Sequence, residues 1–220
     1  MKKVIAIDGP SGAGKSTLAK LLAAELGYSY LDTGALYRAV ALNLIRLGMD
    51  ESSTDDALSS ALNNTSVEFR AGHVLLNGKD VSQEIRSPEA GHYASVFSAR
   101  RPVRGHLMKI QRDAALNFDL VAEGRDMTTV VFPDAFKKFY LDASADERAG
   151  RRTLELLFRG FEVDRERIRL DIMERDARDS GREIAPLKKA EGAHVIDSSG
   201  LSVDDVFQKI LDIINRSDEK

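Results

Sequence analysis

The sequence has 220 residues, of which 43% are apolar and 30% charged, with a formal net charge of −3. A chain of this length and apolar content can bury a substantial core, and its acidic balance argues against a general nucleic-acid binder, which needs a broad basic face. With no cysteine, disulfides and thiolate metal sites are excluded.

Val4 to Ile7 is an unbroken apolar run and predicts a short, fully buried strand. It is too short for a signal-peptide core, and no run approaches the ~18 apolar residues of a membrane span. No membrane partner is expected, and the cytoplasm is the default location. Glycine-rich residues follow, and "KSTLAKLLAAEL" predicts a helix with Leu18, Leu21, Leu22 and Leu26 on one face and Gly27 as its stop. "YSYLD" predicts a second strand. Asp32 or Thr33 caps a helix from Ala35 to Leu47 that ends at Gly48. Strand, helix, strand in this order predicts a parallel sheet.

The middle of the chain differs. "SVEFR", "HVLLN" and "KDVS" predict short antiparallel strands, with Asn77-Gly78 as a tight hairpin turn. Pro88 and Pro102 suit the first turns of two helices, the second turning Val103, Leu107, Ile110 and Ala114 inward. Residues 63–90 read as a small inserted β subdomain. The α/β pattern then resumes with the strands "DLVAEG" and "KKFYLDA". Ser144 with Glu147 is a capping-box signature for a helix to about Arg159, ended by Gly160. A further helix spans Asp164 to Asp179, and "AHVIDSS" is a last strand. Ser202 with Asp205 caps a final helix whose apolar face is Val206, Phe207, Ile210, Ile213 and Ile214.

"GPSGAGKS", Gly9 to Ser16, fits the phosphate-loop pattern G-x-x-x-x-G-K-[ST] between a buried strand and an amphipathic helix. Glycines let backbone N–H groups converge on phosphate oxygens, and the helix N-terminus adds a favourable dipole. Lys15 reaches the β- and γ-phosphates and Ser16 ligates Mg²⁺. This pattern implies a nucleoside triphosphate but not its use, leaving a kinase with a small acceptor, a GTPase switch or an ATP-driven transducer. "NGKD" at residues 77–80 is close to the guanine signature N-K-x-D, but its order is wrong and a hairpin turn accounts for it.

A kinase needs a second subsite that holds the acceptor in line with the γ-phosphate. "LDTGALYR" places Thr33, Tyr37 and Arg38 at the carboxyl end of a strand, where α/β proteins bind ligands. "AEGRDMTTVVFPD" places Glu123, Arg125 and Asp126 after another strand, with Glu123 able to orient Mg²⁺-bound water. Ten of the chain's twenty arginines lie between Arg148 and Arg182, and no lysine occurs from Phe139 through Leu187. Bidentate phosphate contacts favour the planar guanidinium over ammonium. Two charged helices joined at Gly160 predict a flap that folds its arginines over phosphates. The four histidines show no triad setting. A phosphate monoester acceptor needs no strong general base, because its second pKa is about 6.

"IDGPSGAGKST", "LDTGALYR", "EGRDMTTVVFPDA", "ERDARDSGR" and "VIDSS" together resemble the bacterial cytidylate kinase family, in the same order and over nearly the whole chain. The resemblance implies an α/β fold: a P-loop three-layer fold with a central parallel sheet flanked by helices, a small inserted antiparallel β subdomain and a helical lid. It implies one kinase domain over residues 1–220, containing an inserted NMP-binding subdomain at 63–100 and a lid at 148–182. The implied reaction is ATP-dependent phosphorylation of CMP and dCMP with Mg²⁺, by a protein that is usually a monomer. Gly9, Pro10, Ser11, Gly12, Ala13, Gly14, Lys15, Ser16 and Thr17 would bind ATP. Thr33 and Tyr37 lie in the acceptor motif, and Arg38, Arg125 and Arg182 match positions on the acceptor's phosphate side. Ser95, Arg104 and Asp126 match positions around cytosine, and Arg175 and Asp179 match positions near the ribose and the lid. Lys15, Arg125, Arg175 and Arg182 form the implied catalytic set. Arg178 matches no motif position and reads as a surface ion-pair residue. Two positions depart from the family pattern: Glu123, where Asp is frequent, and Thr128, where Gly is common. The cysteine zinc cluster that some relatives carry in the lid is excluded.

Overall fold

The computed structural model describes residues 2–70 and 72–216. Five parallel strands form the central sheet: β1 (Val4–Asp8), β2 (Ser29–Asp32), β6 (Leu120–Gly124), β7 (Lys137–Asp142) and β8 (His194–Asp197), in the order β2-β6-β1-β7-β8. Helices cover both faces, which is why β1 and β6 are buried at every residue. Side chains alternate across the sheet. Val4 and Ala6 join Leu120 and Ala122 on one face, packed on α2 (Thr33–Arg46) and α5 (Arg101–Asp113). Ile5 and Ile7 join Val121, Phe139 and Leu141 on the other, packed on α1 (Lys15–Leu26) and α8 (Val203–Asn215). The chain leaves β1 toward β2 and β6 on one side and reaches β7 on the other. The carboxyl end of β1 is therefore the switch point where a ligand crevice opens.

Local chemistry explains most boundaries. Asp32 caps α2 by accepting from the Ala35 N–H at 2.8 Å, and Gly27 ends α1 in the left-handed conformation. Ser202 and Asp205 form a complete capping box at α8. At α6 (Ala145–Phe158), only half of the predicted box is present. The Ser144 hydroxyl accepts from the Glu147 N–H, but the Ser144 N–H donates to the Ser199 hydroxyl at 2.9 Å. α1 also differs from expectation. Leu18, Ala19, Leu22 and Ala23 form its buried face, while Leu21 turns outward along the wall of the crevice.

The three-stranded antiparallel sheet β3 (Val67–Arg70), β4 (His73–Leu76), β5 (Lys79–Asp80) lies where the turn signals place it, and Asn77 and Gly78 both have positive φ. It shares one core with α2, with α4 (Pro88–Phe97) and with α3 (Asp55–Leu62), a helix absent from the predicted elements. Thr54 caps α3 and Leu58 and Leu62, one turn apart, are its buried residues. α6 and α7 (Arg165–Gly181) pack on each other through their own small cluster, Ala149, Leu156, Ile168 and Ile172. No helix among the described residues is long and apolar enough to cross a membrane.

Gly9 follows β1 at φ +151, and a Cβ there would lie 1.9 Å from the Leu141 carbonyl oxygen of the neighbouring strand. That contact is backbone and cannot rotate away. Gly9→Ala is expected to cost on the order of 3 kcal/mol of stability, from overpacking and from a φ that an L side chain resists. Urea unfolding measures this, and an unchanged midpoint would contradict it.

Candidate active site

The loop from β1 to α1 wraps the N-terminus of α1. Gly12 and Gly14 have φ of +80 and +94, a backbone that glycine adopts without a Cβ penalty. Lys15 is buried, and its ammonium donates to the Pro10 carbonyl at 2.7 Å. Burial, then the nearby Arg125 guanidinium, lowers its pKa to about 7. Ser11 to Thr17 line a cleft of about 1510 Å³, while Gly9 and Pro10 stand behind it and shape the turn. The cleft exceeds the usual volume for one small ligand, as two nucleotides require.

Across the cleft, two buried carboxylates gather the arginines. Asp179 on α7 accepts from Arg125 Nε at 2.9 Å and from the Ser95 hydroxyl at 3.2 Å, with Arg175 at 3.8 Å. Burial pushes its carboxyl up, but Arg125, Arg175 and Arg182 more than offset this and hold it below its usual value. Asp126 pairs with Arg104 in a fully buried contact and has Arg182 at 3.8 Å. Arg104 lies over the Tyr37 ring, and Arg182 also donates to the Ser98 hydroxyl and the Ala185 carbonyl. Arg38 lies in the same wall. Burial lowers its pKa, as it does that of Arg175, which falls to about 9 with Arg125 as the next cause. Guanidinium groups held out of water in this way favour a bound anion. Thr33 lines the wall but donates its hydroxyl to the Glu123 carbonyl at 2.6 Å, which ties β2 to β6.

Every predicted acceptor residue, from Thr33 through Arg182, lines this one cleft. Several residues that the sequence reading left unassigned also take part. Arg86 lines the cleft, 3.7 Å from Asp32, near Arg38. Arg178 makes no ion pair among the described residues and lines the cleft, contrary to its reading as a surface pair. The flap arginines divide between holding the glycine loop and pairing with the acids of their own helices, the latter as the eight acids of this span lead one to expect. Arg148 Nη1 donates to the Ser11 carbonyl at 3.1 Å and to Asp176 at 2.5 Å, and its Nε to the Ala143 carbonyl. Arg151 donates to the Ala13 carbonyl and to Ser198. Both hold the glycine loop from its carbonyl side. Arg167 and Arg169 are in exposed helix pairs.

The donor set at the foot of the loop fits magnesium. The Ser16 hydroxyl donates to the Glu123 carboxylate, which also accepts from the Tyr30 hydroxyl at 3.1 Å. These are hard oxygen donors, and no group of three or more His, Cys, Asp or Glu forms a protein cage among the described residues. One carboxylate with one hydroxyl suits a cation that binds mainly to phosphates. Burial and then Asp32 push the Glu123 carboxyl up, so a cation there would relieve it.

A buried strand, a glycine loop on a helix N-terminus and a facing arginine cluster define a P-loop phosphotransferase. The sequence profile of the cytidylate kinase family matches residues 5–216. A cytidylate kinase from Thermotoga neapolitana is 49% identical over 96% of this chain and 96% of its own. One from Thermodesulfovibrio yellowstonii is 50% identical over 96% of this chain and 97% of its own. An uncharacterized protein from Eubacterium ventriosum shares the fold at a TM-score of 0.54, with 13% identity over 97% of this chain and 99% of that one. The chain belongs to the cytidylate kinase family.

Proposed function

We propose that this protein transfers the γ-phosphoryl group of ATP to CMP and dCMP, giving CDP and dCDP. The reading is carried by the arginine cluster that faces the glycine loop within one cleft. The loop amides of Ser11 to Thr17 and the α1 dipole hold the ATP phosphates, and Lys15 neutralises charge that develops on the transferred group. Arg38, Arg125, Arg175 and Arg182 hold the acceptor phosphate, with Arg86 beside Arg38. That phosphate is largely dianionic at neutral pH, so alignment and charge neutralisation replace a general base. Magnesium, bound with the ATP phosphates, would be held by Ser16, with Glu123 acting through water, and would supply further charge neutralisation.

Base choice follows from the Arg104–Asp126 pair. Cytosine presents an N4 amine donor beside N3 and O2 acceptors, which a carboxylate next to a guanidinium complements. Ser95 supports that pocket, Tyr37 forms its floor, and Asp179 with Arg175 meets the ribose. The chain acts as one kinase domain over residues 1–220. Residues 63–100 bind the monophosphate and residues 148–182 close as a lid to exclude water. We further infer a cytoplasmic monomer with no nucleic-acid partner, consistent with its net charge of −3. Size-exclusion chromatography with light scattering tests the monomer, and a dimer mass contradicts it.

An ADP-release assay with ATP and a panel of CMP, dCMP, UMP, AMP and GMP tests the reaction. CMP and dCMP should lead the panel in kcat/KM. A lead for UMP or AMP overturns the base assignment, and ADP release that no monophosphate stimulates overturns the kinase reading.

A further inference from the structure

Asp8 ends β1, is fully buried, and paired in register with Gly124 at the end of β6. Gly9 and the phosphate loop follow it directly. Its side chain is not among those that line the cleft. It reaches under the adjacent loop and accepts from the Met127 N–H at 2.9 Å, the Thr128 N–H at 2.7 Å and the Thr128 hydroxyl at 2.6 Å. These residues begin the π-helical turn Met127–Val131, immediately after Arg125 and Asp126. Wide turns of this kind are uncommon and sit at functional sites. The turn's first amides have one buried acceptor, and it belongs to the strand that carries the donor loop.

We propose that Asp8 and Thr128 form a positioning clasp that fixes the acceptor-recognising pair Arg125–Asp126 against the ATP loop. A carboxylate beneath two consecutive amides sets where the turn starts, and so where the Asp126 side chain points. Thr128 adds a third donor and immobilises the carboxylate itself. Gly124 lets the loop pack closely on its neighbours, since a Cβ there would lie 2.7 Å from the Thr33 hydroxyl and 2.9 Å from the Met127 side chain. Donor and acceptor ends of the cleft are thereby joined through one buried side chain, and a small shift there misaligns the acceptor without touching any phosphate.

This inference rests on the CMP kinase reading, so wild-type turnover of CMP is the first arm of the test. Failure of that arm removes the reading itself. With it in hand, Thr128→Val keeps the shape of the side chain and loses only the hydroxyl. The variant is expected to raise KM for CMP about tenfold, the usual effect of losing a hydrogen bond to a buried charge, with KM for ATP within about twofold of wild type. Thr128→Ser is expected to restore KM for CMP. An unchanged KM for CMP, an equal rise in both KM values, or no rescue by serine overturns the proposal. A fall in Tm with unchanged KM for CMP also overturns it, because it would mark the hydroxyl as structural only.

Discussion

Lys15→Ala is expected to lower kcat by about 10³-fold while leaving the melting temperature unchanged or higher. The two halves of this result have one cause. Without nucleotide, the ammonium is buried near Arg125, Glu123 and Arg175, and among the described residues its only hydrogen bond is to the Pro10 carbonyl. Burial and those guanidinium groups make the charged form unfavourable, so its removal relieves the folded chain. On the proposed reading, the same charge neutralises the phosphates once ATP is bound, and its loss then falls on the transition state. Stability given up at a site is recovered as function when substrate arrives. A parallel fall of Tm and kcat would mark Lys15 as structural and reject this account. The pH dependence follows by sign. Lys15 has a pKa of about 7 in the free protein, lowered from 10.5, and phosphate anions bound beside it are expected to raise it again. Between those values the folded, free chain binds fewer protons than the unfolded chain, so this group makes stability rise with pH across that window. Over the same range ATP binding must take up a proton. Calorimetry at about pH 8, where the ATP phosphates are already ionised, should show uptake in buffers of different ionisation enthalpy. Uptake should vanish in Lys15→Ala, and proton release by the wild type would refute the assignment.

The parts of the fold that were legible in the sequence are those set by local chemistry. The phosphate loop needs glycines at fixed spacing between a buried strand and a helix, and residues 9–17 carry all of this in one stretch. The hairpin at Asn77-Gly78 and the caps at Ser202 and Asp32 are likewise short-range. α3 was available to the same reasoning, since Thr54, two acids and a Leu58–Leu62 pair precede and fill it. It is eight residues long and its pattern is brief, which makes the signal weak.

The rest was hidden because it is made between distant segments. Arg148 and Ser11 are 137 residues apart, and the contact runs from a guanidinium to a backbone carbonyl, which leaves no trace in residue type. Asp8 and Thr128 are separated by 120 residues. Asp8 reads in sequence as a polar end to a strand, and only the packing of β6 beside β1 reveals what its carboxylate holds. The arginine run misled in a different way. Lysine exclusion marked an unusual segment, but two of its ten arginines, Arg148 and Arg151, bind the loop from behind. The stretch "ERDARDSGR" contains both uses: Arg175, Asp179 and Arg182 enter the cleft, and Asp176 anchors Arg148.

Asp126→Ala is expected to reduce the CMP-to-UMP ratio of kcat/KM by 10²-fold or more, mainly through loss on CMP. Uracil reverses the pattern at the edge that Asp126 would meet, offering an O4 acceptor in place of the N4 amine and an N3–H donor in place of an acceptor. An aspartate there repels O4 as it accepts from N4, so its removal both weakens CMP and relieves UMP. The same substitution leaves Arg104 and Arg182 buried without their acid, which costs about 3–5 kcal/mol. Stability must therefore be separated from recognition. Adding Arg104→Met to Asp126→Ala removes one uncompensated cation and should recover part of the Tm without recovering CMP preference. Full discrimination by the single variant, measured below its melting transition, would exclude Asp126 from cytosine recognition. Recovery of discrimination by the double variant would place the defect in folding, because an apolar pair offers cytosine neither an acceptor nor a donor.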